Sequence, residues 1–154
     1  MDNLAAQVIA ALQGKTLATA ESCTGGGIGA VLTSVPGSSA VYKGGIISYT
    51  NQIKQKLLHV PSDLLIDRGA VSSEVAQAMA KGARSQLDSD IAVSVTGLAG
   101  PGGDDFGNPV GTVFIGYCDE NICFSRKFYF AGDRKTVTDQ AITAALTLIL
   151  EHNR

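Results

Sequence analysis

Ser22 lies where the apolar run Thr16-Leu17-Ala18-Thr19-Ala20 gives way to a glycine-rich stretch, Cys23-Thr24-Gly25-Gly26-Gly27-Ile28-Gly29. A strand that turns sharply into a helix leaves such a hydroxyl exposed at the carboxyl end of a sheet. The free N–H groups of the new helix then face whatever the hydroxyl touches. A serine in that place can act as a nucleophile if a base and oxyanion donors stand nearby, or it can simply cap the helix that follows. Both readings are open from position alone. From residue 22 to residue 62 there is no Asp or Glu, while Lys43, Lys54 and Lys56 fall inside that window. This stretch is suited to an anionic ligand.

The segment Tyr49-Thr50-Asn51-Gln52-Ile53-Lys54 supplies a base for the serine. Tyr49 ends a strand and Lys54 falls in the first turns of a helix, so both can point into one crevice. A lysine serves as a general base when burial lowers its pKa toward neutrality, because desolvation disfavours the ammonium ion. Serine–lysine pairs are one form of triad logic. The alternative is that Lys54 and Lys56 are solvated helix lysines. A third segment, Thr96-Gly97-Leu98-Ala99-Gly100-Pro101-Gly102-Gly103, has glycines that admit close approach of a ligand, and Thr96 can bond to substrate or position the lysine; it can equally be a flexible surface loop. In Gly132-Asp133-Arg134, Arg134 suits bidentate contact with an anion, or Asp133 caps a helix and Arg134 is solvated.

Several patterns are excluded. Gly25-Gly26-Gly27-Ile28-Gly29-Ala30 satisfies G-x-G-x-x-A after a strand, but the acid-free window lacks the carboxylate a dinucleotide ribose requires about 20 residues on. G-x-S-x-G, Ser-x-x-Lys and the phosphate-binding P-loop are absent. Three cysteines without a C-x-x-C pair, and only two histidines, supply no metal site. Cys118 and Cys123 flank a turn and can face each other across it, but reduced thiols are the expectation for a protein with no secretory signal.

These residues must be positioned by a scaffold that the rest of the chain encodes. The 154 residues, 45% hydrophobic and 17% charged, fit one globular domain over 1–154. A net charge of −2 gives no pull toward nucleic acid, and the apolar runs are too short to span a membrane; the expected setting is the cytoplasm. Apolar periodicity predicts helices over 3–13, 25–34, 52–58 (with Asn51 as N-cap), a short turn from Pro61-Ser62, 74–87 (capped by Ser72 or Ser73) and 134–151. Strands are predicted over 15–21, 41–49, 90–96, 110–118 and 122–130, the last two joined as a hairpin at Asp119-Glu120-Asn121. Gly44-Gly45 suggests a bulge or close backbone approach. Helical crossovers imply parallel strands, so the expectation is a three-layer α/β/α domain. Its mixed, mostly parallel sheet has about five strands including one C-terminal hairpin. The crevice then lies beyond the carboxyl ends of the parallel strands, near Ser22, Tyr49 and Thr96.

Together these segments resemble one family. Ala20-Glu21-Ser22-Cys23-Thr24-Gly25-Gly26, Gly44-Gly45-Ile46-Ile47-Ser48-Tyr49-Thr50-Asn51-Gln52-Ile53-Lys54, Gly69-Ala70-Val71-Ser72, Thr96-Gly97-Leu98-Ala99-Gly100-Pro101 and Pro109-Val110-Gly111-Thr112-Val113 are similar, in order, to the CinA C-terminal-domain family. That family includes nicotinamide mononucleotide amidohydrolases of the competence/damage-inducible group. The resemblance implies the domain alone, without the larger N-terminal domain some members carry. It implies Ser22 as nucleophile with Lys54 and Tyr49 as catalytic partners. The reaction implied is hydrolysis of the nicotinamide carboxamide to a carboxylate and ammonia, with amides at the Gly25-Gly26 turn holding the oxyanion. The candidate substrate-binding residues are Thr24, Gly25, Gly26, Asn51, Thr96, Gly97, Gly100 and Arg134. The expected partner is a small nucleotide substrate, with no cofactor and no nucleic acid. A homodimer paired through the hairpin edge is expected as well. Two positions depart from the family pattern: Thr138 where the last helix often carries arginine, and Asn108 where the 97–109 loop often ends in lysine. Two other readings stand beside this one, a silent nucleotide- or protein-binding paralogue and an amidase for another small substrate.

Overall fold

The computed structural model describes residues 1–154. Its elements run α1 (Asp2–Ala11), β1 (Leu17–Glu21), α2 (Gly27–Thr33), β2 (Tyr42–Ile47), α3 (Asn51–Leu58), α4 (Ser62–Arg68), α5 (Ser73–Gln86), β3 (Ile91–Gly97), β4 (Thr112–Cys118), β5 (Cys123–Tyr129) and α6 (Arg134–Glu151). The strands form one sheet in the order β2-β1-β3-β4-β5. β1 pairs parallel with both β2 and β3, whereas β4 runs against β3 and against β5. Four strands therefore point one way and β4 the other. The carboxyl ends of β2, β1 and β3 lie side by side, which brings Tyr49, Ser22 and Thr96 to one edge.

Helices cover both faces. α1, α2 and α6 pack over one face around Val8, Leu12, Ile28, Leu32, Ile115 and Leu146. α3, α4 and α5 pack over the other around Leu58, Val75, Met79 and Ala83. β3 and β4 are enclosed by both layers, which is why Ile91-Ala92-Val93 and Val113-Phe114-Ile115 read as unbroken apolar runs without alternation.

The helix starts follow their capping chemistry. The Ser72 hydroxyl accepts from Val75 N at 3.3 Å, and the Asp133 carboxylate accepts from Thr136 N at 2.9 Å. At α3 the cap is one residue earlier than expected. Thr50 adopts the extended backbone and its hydroxyl accepts from Ile53 N at 3.4 Å, so Asn51 becomes the first helical residue.

The Gly44-Gly45 signal corresponds to two features. The β1–β2 register shifts between Leu17 and Ala18, so Lys43 is an extra residue and Gly44 sits at φ 149°. A Cβ on Gly45 would collide with the Thr19 side chain of the neighbouring strand and lie 2.7 Å from the Tyr42 hydroxyl. One expectation is corrected: Cys118 and Cys123 are not separate thiols but joined by a disulfide, leaving Cys23 free. They are direct partners in the β4–β5 ladder, with Cα atoms 4.1 Å apart, so the hairpin register itself brings the sulfurs together.

Candidate active site

Ser22 follows β1 directly, and its N–H donates to Val95 O of β3 at 2.9 Å, which ties the residue to the centre of the sheet. The chain then winds through a tight turn. Gly25 N donates to Ser22 O at 3.1 Å, Gly27 N donates to Thr24 O at 2.9 Å, and Gly25 and Gly26 take φ of 59° and 101°.

The amides at the start of α2 are not free, contrary to the sequence expectation. Glu21 is only 2% exposed and turns its carboxylate onto the helix. Oε1 accepts from Ile28 N at 2.9 Å and from the Thr24 hydroxyl at 2.6 Å; Oε2 accepts from Gly29 N at 3.0 Å. With Gly25 N closing the turn, the amides left without a bond inside the chain are those of Cys23, Thr24 and Gly26. Glu21 went unassigned in the sequence reading. The signal was present: a single acid ends the otherwise uncharged strand Leu17-Ala18-Thr19-Ala20-Glu21, and a buried carboxylate needs donors close by.

Lys54 projects from the second turn of α3 and is 1% exposed, whereas Lys56 on the same helix is solvated. Its Nζ lies 3.1 Å from Ser22 Oγ, 2.8 Å from Ser48 O and 3.2 Å from Tyr49 O. No carboxylate pairs with it. Burial pushes its pKa down from the ordinary 10.5 to about 8, against a smaller upward pull from Cys23. A neutral lysine has two N–H groups and one lone pair. As an ammonium, Lys54 donates to Ser22 Oγ and to both carbonyls, and the Ser22 hydroxyl donates to Tyr49 O at 3.5 Å. Once Lys54 loses a proton, the two carbonyls can keep its N–H groups and its lone pair can face Ser22 Oγ. The Ser48 hydroxyl, by contrast, is buried without a partner.

The cavity beside this pair measures about 420 Å³. Ser22, Cys23, Tyr49, Asn51, Lys54 and Arg134 line it together with the loop from Thr96 to Gly103, and no Asp or Glu does. Thr24, Gly25 and Gly26 lie outside its lining, because the turn carries them behind Ser22 toward Glu21 and Ile47. Thr96 lines the cavity but neither positions Lys54 nor offers a free hydroxyl. It is buried and donates to Ala70 O at 2.8 Å, holding the Gly69–Ser72 segment against β3. Gly97 and Gly100 shape the loop wall, and a Cβ on Gly97 would lie 2.9 Å from Thr112 O.

At the mouth, Asp133 takes the capping role expected of it, and Arg134 bonds within the chain. Asp133 caps α6, and the Arg134 guanidinium reaches back to donate to Gly100 O at 2.6 Å and to the Tyr49 hydroxyl at 2.9 Å. Tyr49 is 57% exposed and offers its ring to the cavity. The Cys23 thiol is pushed up to about 12 by burial, so it stays protonated near neutrality and is no nucleophile there. Thr138 and Asn108 lie outside the cavity. The Thr138 hydroxyl donates to Lys135 O, and Asn108 Nδ2 bridges Val71 O and Asp104.

A larger groove of about 680 Å³ lies at the opposite end of the sheet, by the end of β4. It is lined by Glu74, Lys81, Arg84, Asp88 and the Cys118–Cys123 bridge, among others, and contains no nucleophile with a base beside it.

The chain is similar to known proteins over nearly its whole length. Residues 1–152 match the CinA C-terminal domain. A CinA-like protein of Parasynechococcus marenigrum (strain WH8102) is 52% identical over 136 residues, covering 87% of this chain and 32% of that protein. A CinA-like protein of Geobacter sulfurreducens is 49% identical over 133 residues, covering 86% and 32%. The chain spans about a third of the length of these curated relatives. Among solved structures, the competence damage-inducible protein A of Klebsiella pneumoniae superposes with TM-score 0.95 at 36% identity, over 97% of this chain and 94% of that one. The competence/damage inducible protein of Agrobacterium tumefaciens does so with TM-score 0.95 at 36% identity, over 99% and 95%.

Proposed function

This chain belongs to the CinA C-terminal domain family, and within it we propose a serine–lysine amidohydrolase that converts nicotinamide mononucleotide to nicotinate mononucleotide and ammonia. The observation that carries the proposal is the 3.1 Å approach of the buried Lys54 Nζ to Ser22 Oγ, with Lys54 brought to about 8 by desolvation. A lysine held there by two carbonyls and no carboxylate is built to accept a proton.

In this mechanism neutral Lys54 takes the Ser22 proton as Oγ attacks the carboxamide carbon. The oxygen of the tetrahedral intermediate is met by the unbonded amide of Cys23, which follows the nucleophile directly and lines the cavity. One such donor contributes roughly 3–4 kcal/mol where it has been removed in other enzymes. The Lys54 ammonium then protonates the departing nitrogen and ammonia leaves. Water attacks the resulting ester, Lys54 accepts its proton, and the carboxylate is released as Ser22 regains its hydrogen. Arg134 supplies the fixed positive charge of a cavity without acids, which suits a phosphate-bearing substrate. The exposed Ile122 and Tyr129 support pairing of two copies along the β5 edge.

The test is incubation of purified protein with nicotinamide mononucleotide, following ammonia and nicotinate mononucleotide, with Ser22→Ala alongside. Product from the wild type and none from the variant is expected. Full activity in Ser22→Ala, or none in the wild type, overturns the assignment. Because Thr138 and Asn108 put no cation at the cavity, a panel of other small anionic carboxamides belongs in the same experiment and separates an amidase of different specificity.

A further inference from the structure

Glu21 is the last residue of β1, in register with Ile47 on one side and Val95 on the other. Its carboxylate is buried, and no lysine, arginine or histidine pairs with it. All three of its donors come from the segment that follows Ser22: the Thr24 hydroxyl, Ile28 N and Gly29 N. Glu21 therefore ties β1, where its backbone is paired, to the turn and helix that follow Ser22, through three bonds to its carboxylate. Gly29 makes the grip possible, since a Cβ there would lie 2.8 Å from the Tyr42 hydroxyl and 3.6 Å from Glu21 Oε2.

Two consequences follow for the chemistry. The path of Ser22 and Cys23 is held between fixed points, so Oγ keeps its 3.1 Å approach to Lys54 Nζ. The leading amides of α2 are also taken from inside the protein. A carboxylate already at the positive end of the helix leaves no place there for a second anion, and only the turn amides of Cys23, Thr24 and Gly26 stay unbonded. We propose that Glu21 is a positioning residue for the Ser22 nucleophile: it occupies the anion position at the start of α2 and thereby holds the turn in its reactive geometry. The proposal rests on Ser22 acting as the nucleophile and is independent of which amide the enzyme hydrolyses.

The test uses a serine-directed fluorophosphonate as well as substrate. In that reaction Ser22 Oγ forms a bond to phosphorus, fluoride leaves, and the serine proton passes to Lys54. Glu21→Gln keeps the size of the side chain but sets an amide –NH2 against a backbone N–H. The expected result is a folded protein whose labelling rate and kcat on nicotinamide mononucleotide both fall about tenfold or more, the equivalent of about 1.4 kcal/mol. KM should stay within about twofold, and the pH midpoint set by Lys54 should be unmoved. A merely structural role predicts a lower melting temperature with the labelling rate of the folded fraction unchanged, and that outcome overturns the proposal. Should Glu21→Gln not fold, Thr24→Val, which removes one of the three bonds, is read in the same way with a loss of at least about threefold. A wild type labelled at Ser22 but inert toward nicotinamide mononucleotide defeats the substrate assignment and leaves the Glu21 test standing on labelling rate. A wild type not labelled at Ser22 removes the nucleophile and the proposal with it.

Discussion

Arg134 donates to the Tyr49 hydroxyl at 2.9 Å across 85 residues of sequence, joining the start of α6 to the end of β2. The contact closes one wall of the cavity and leaves Tyr49 with two separate duties. Its hydroxyl holds the arginine, and its backbone carbonyl holds Lys54. Tyr49→Phe removes only the first. It should raise KM about tenfold and leave kcat within about threefold, whereas Arg134→Ala should raise KM further, as a charge-assisted contact to an anionic group is lost. Steady-state kinetics of both variants decide this. A loss in kcat matching the loss in kcat/KM for Tyr49→Phe would instead place the hydroxyl in the chemical step.

Lys54 must be neutral to accept a proton, and its pKa near 8 sets the pH profile. We expect kcat/KM to rise with pH and reach half its plateau near pH 8. Stability is linked with a definite sign. Between about 8 and 10.5 the unfolded chain binds a proton at Lys54 that the folded protein does not. The unfolding free energy should therefore rise with pH across that window, by at most about 1.4 kcal/mol per unit, and be indifferent to this group below it. Urea unfolding of the wild type against Lys54→Met, as a function of pH, isolates the contribution. A flat difference between pH 8 and 10.5 would show that burial does not shift this lysine.

Cys23 adjoins the nucleophile and lines the cavity, but burial raises its thiol to about 12. At pH 8 only about one thiol in ten thousand is ionised. Cys23→Ala should retain turnover within about threefold, and iodoacetamide at pH 8 should leave the wild type active. Rapid inactivation by the reagent would place a thiolate in the site.

At Gly116 α5 lies hard against the sheet. A Cβ there would collide with Ala76 O and with the Ser94 hydroxyl, which donates to Ala76 O and accepts from Gly116 N. Gly116→Ala should lower stability by about 1–3 kcal/mol through overpacking. The readout is a fall in the urea midpoint at unchanged slope. An unchanged midpoint would mean that α5 can move away without loss.

Much of this protein was determined by local chemistry that one sequence displays. The apolar period of Val137, Ala141, Leu148 and Ile149, the capping hydroxyl of Ser72 and the carboxylate of Asp133, and the turn between Cys118 and Cys123 each act within a few residues. The element order and the three-layer sheet followed from them, and so did the placing of Ser22, Tyr49 and Thr96 at strand ends. Tertiary structure alone decided what those ends do. Lys54 reaches Ser22 across 32 residues because β2 lies beside β1, and it loses its water because α3 packs over that edge; desolvation belongs to the assembly and to no single residue. The same holds for the glycine turn. Its sequence offers free helix amides, but the fold buries Glu21 among them, and a buried carboxylate claims the nearest donors before any ligand can.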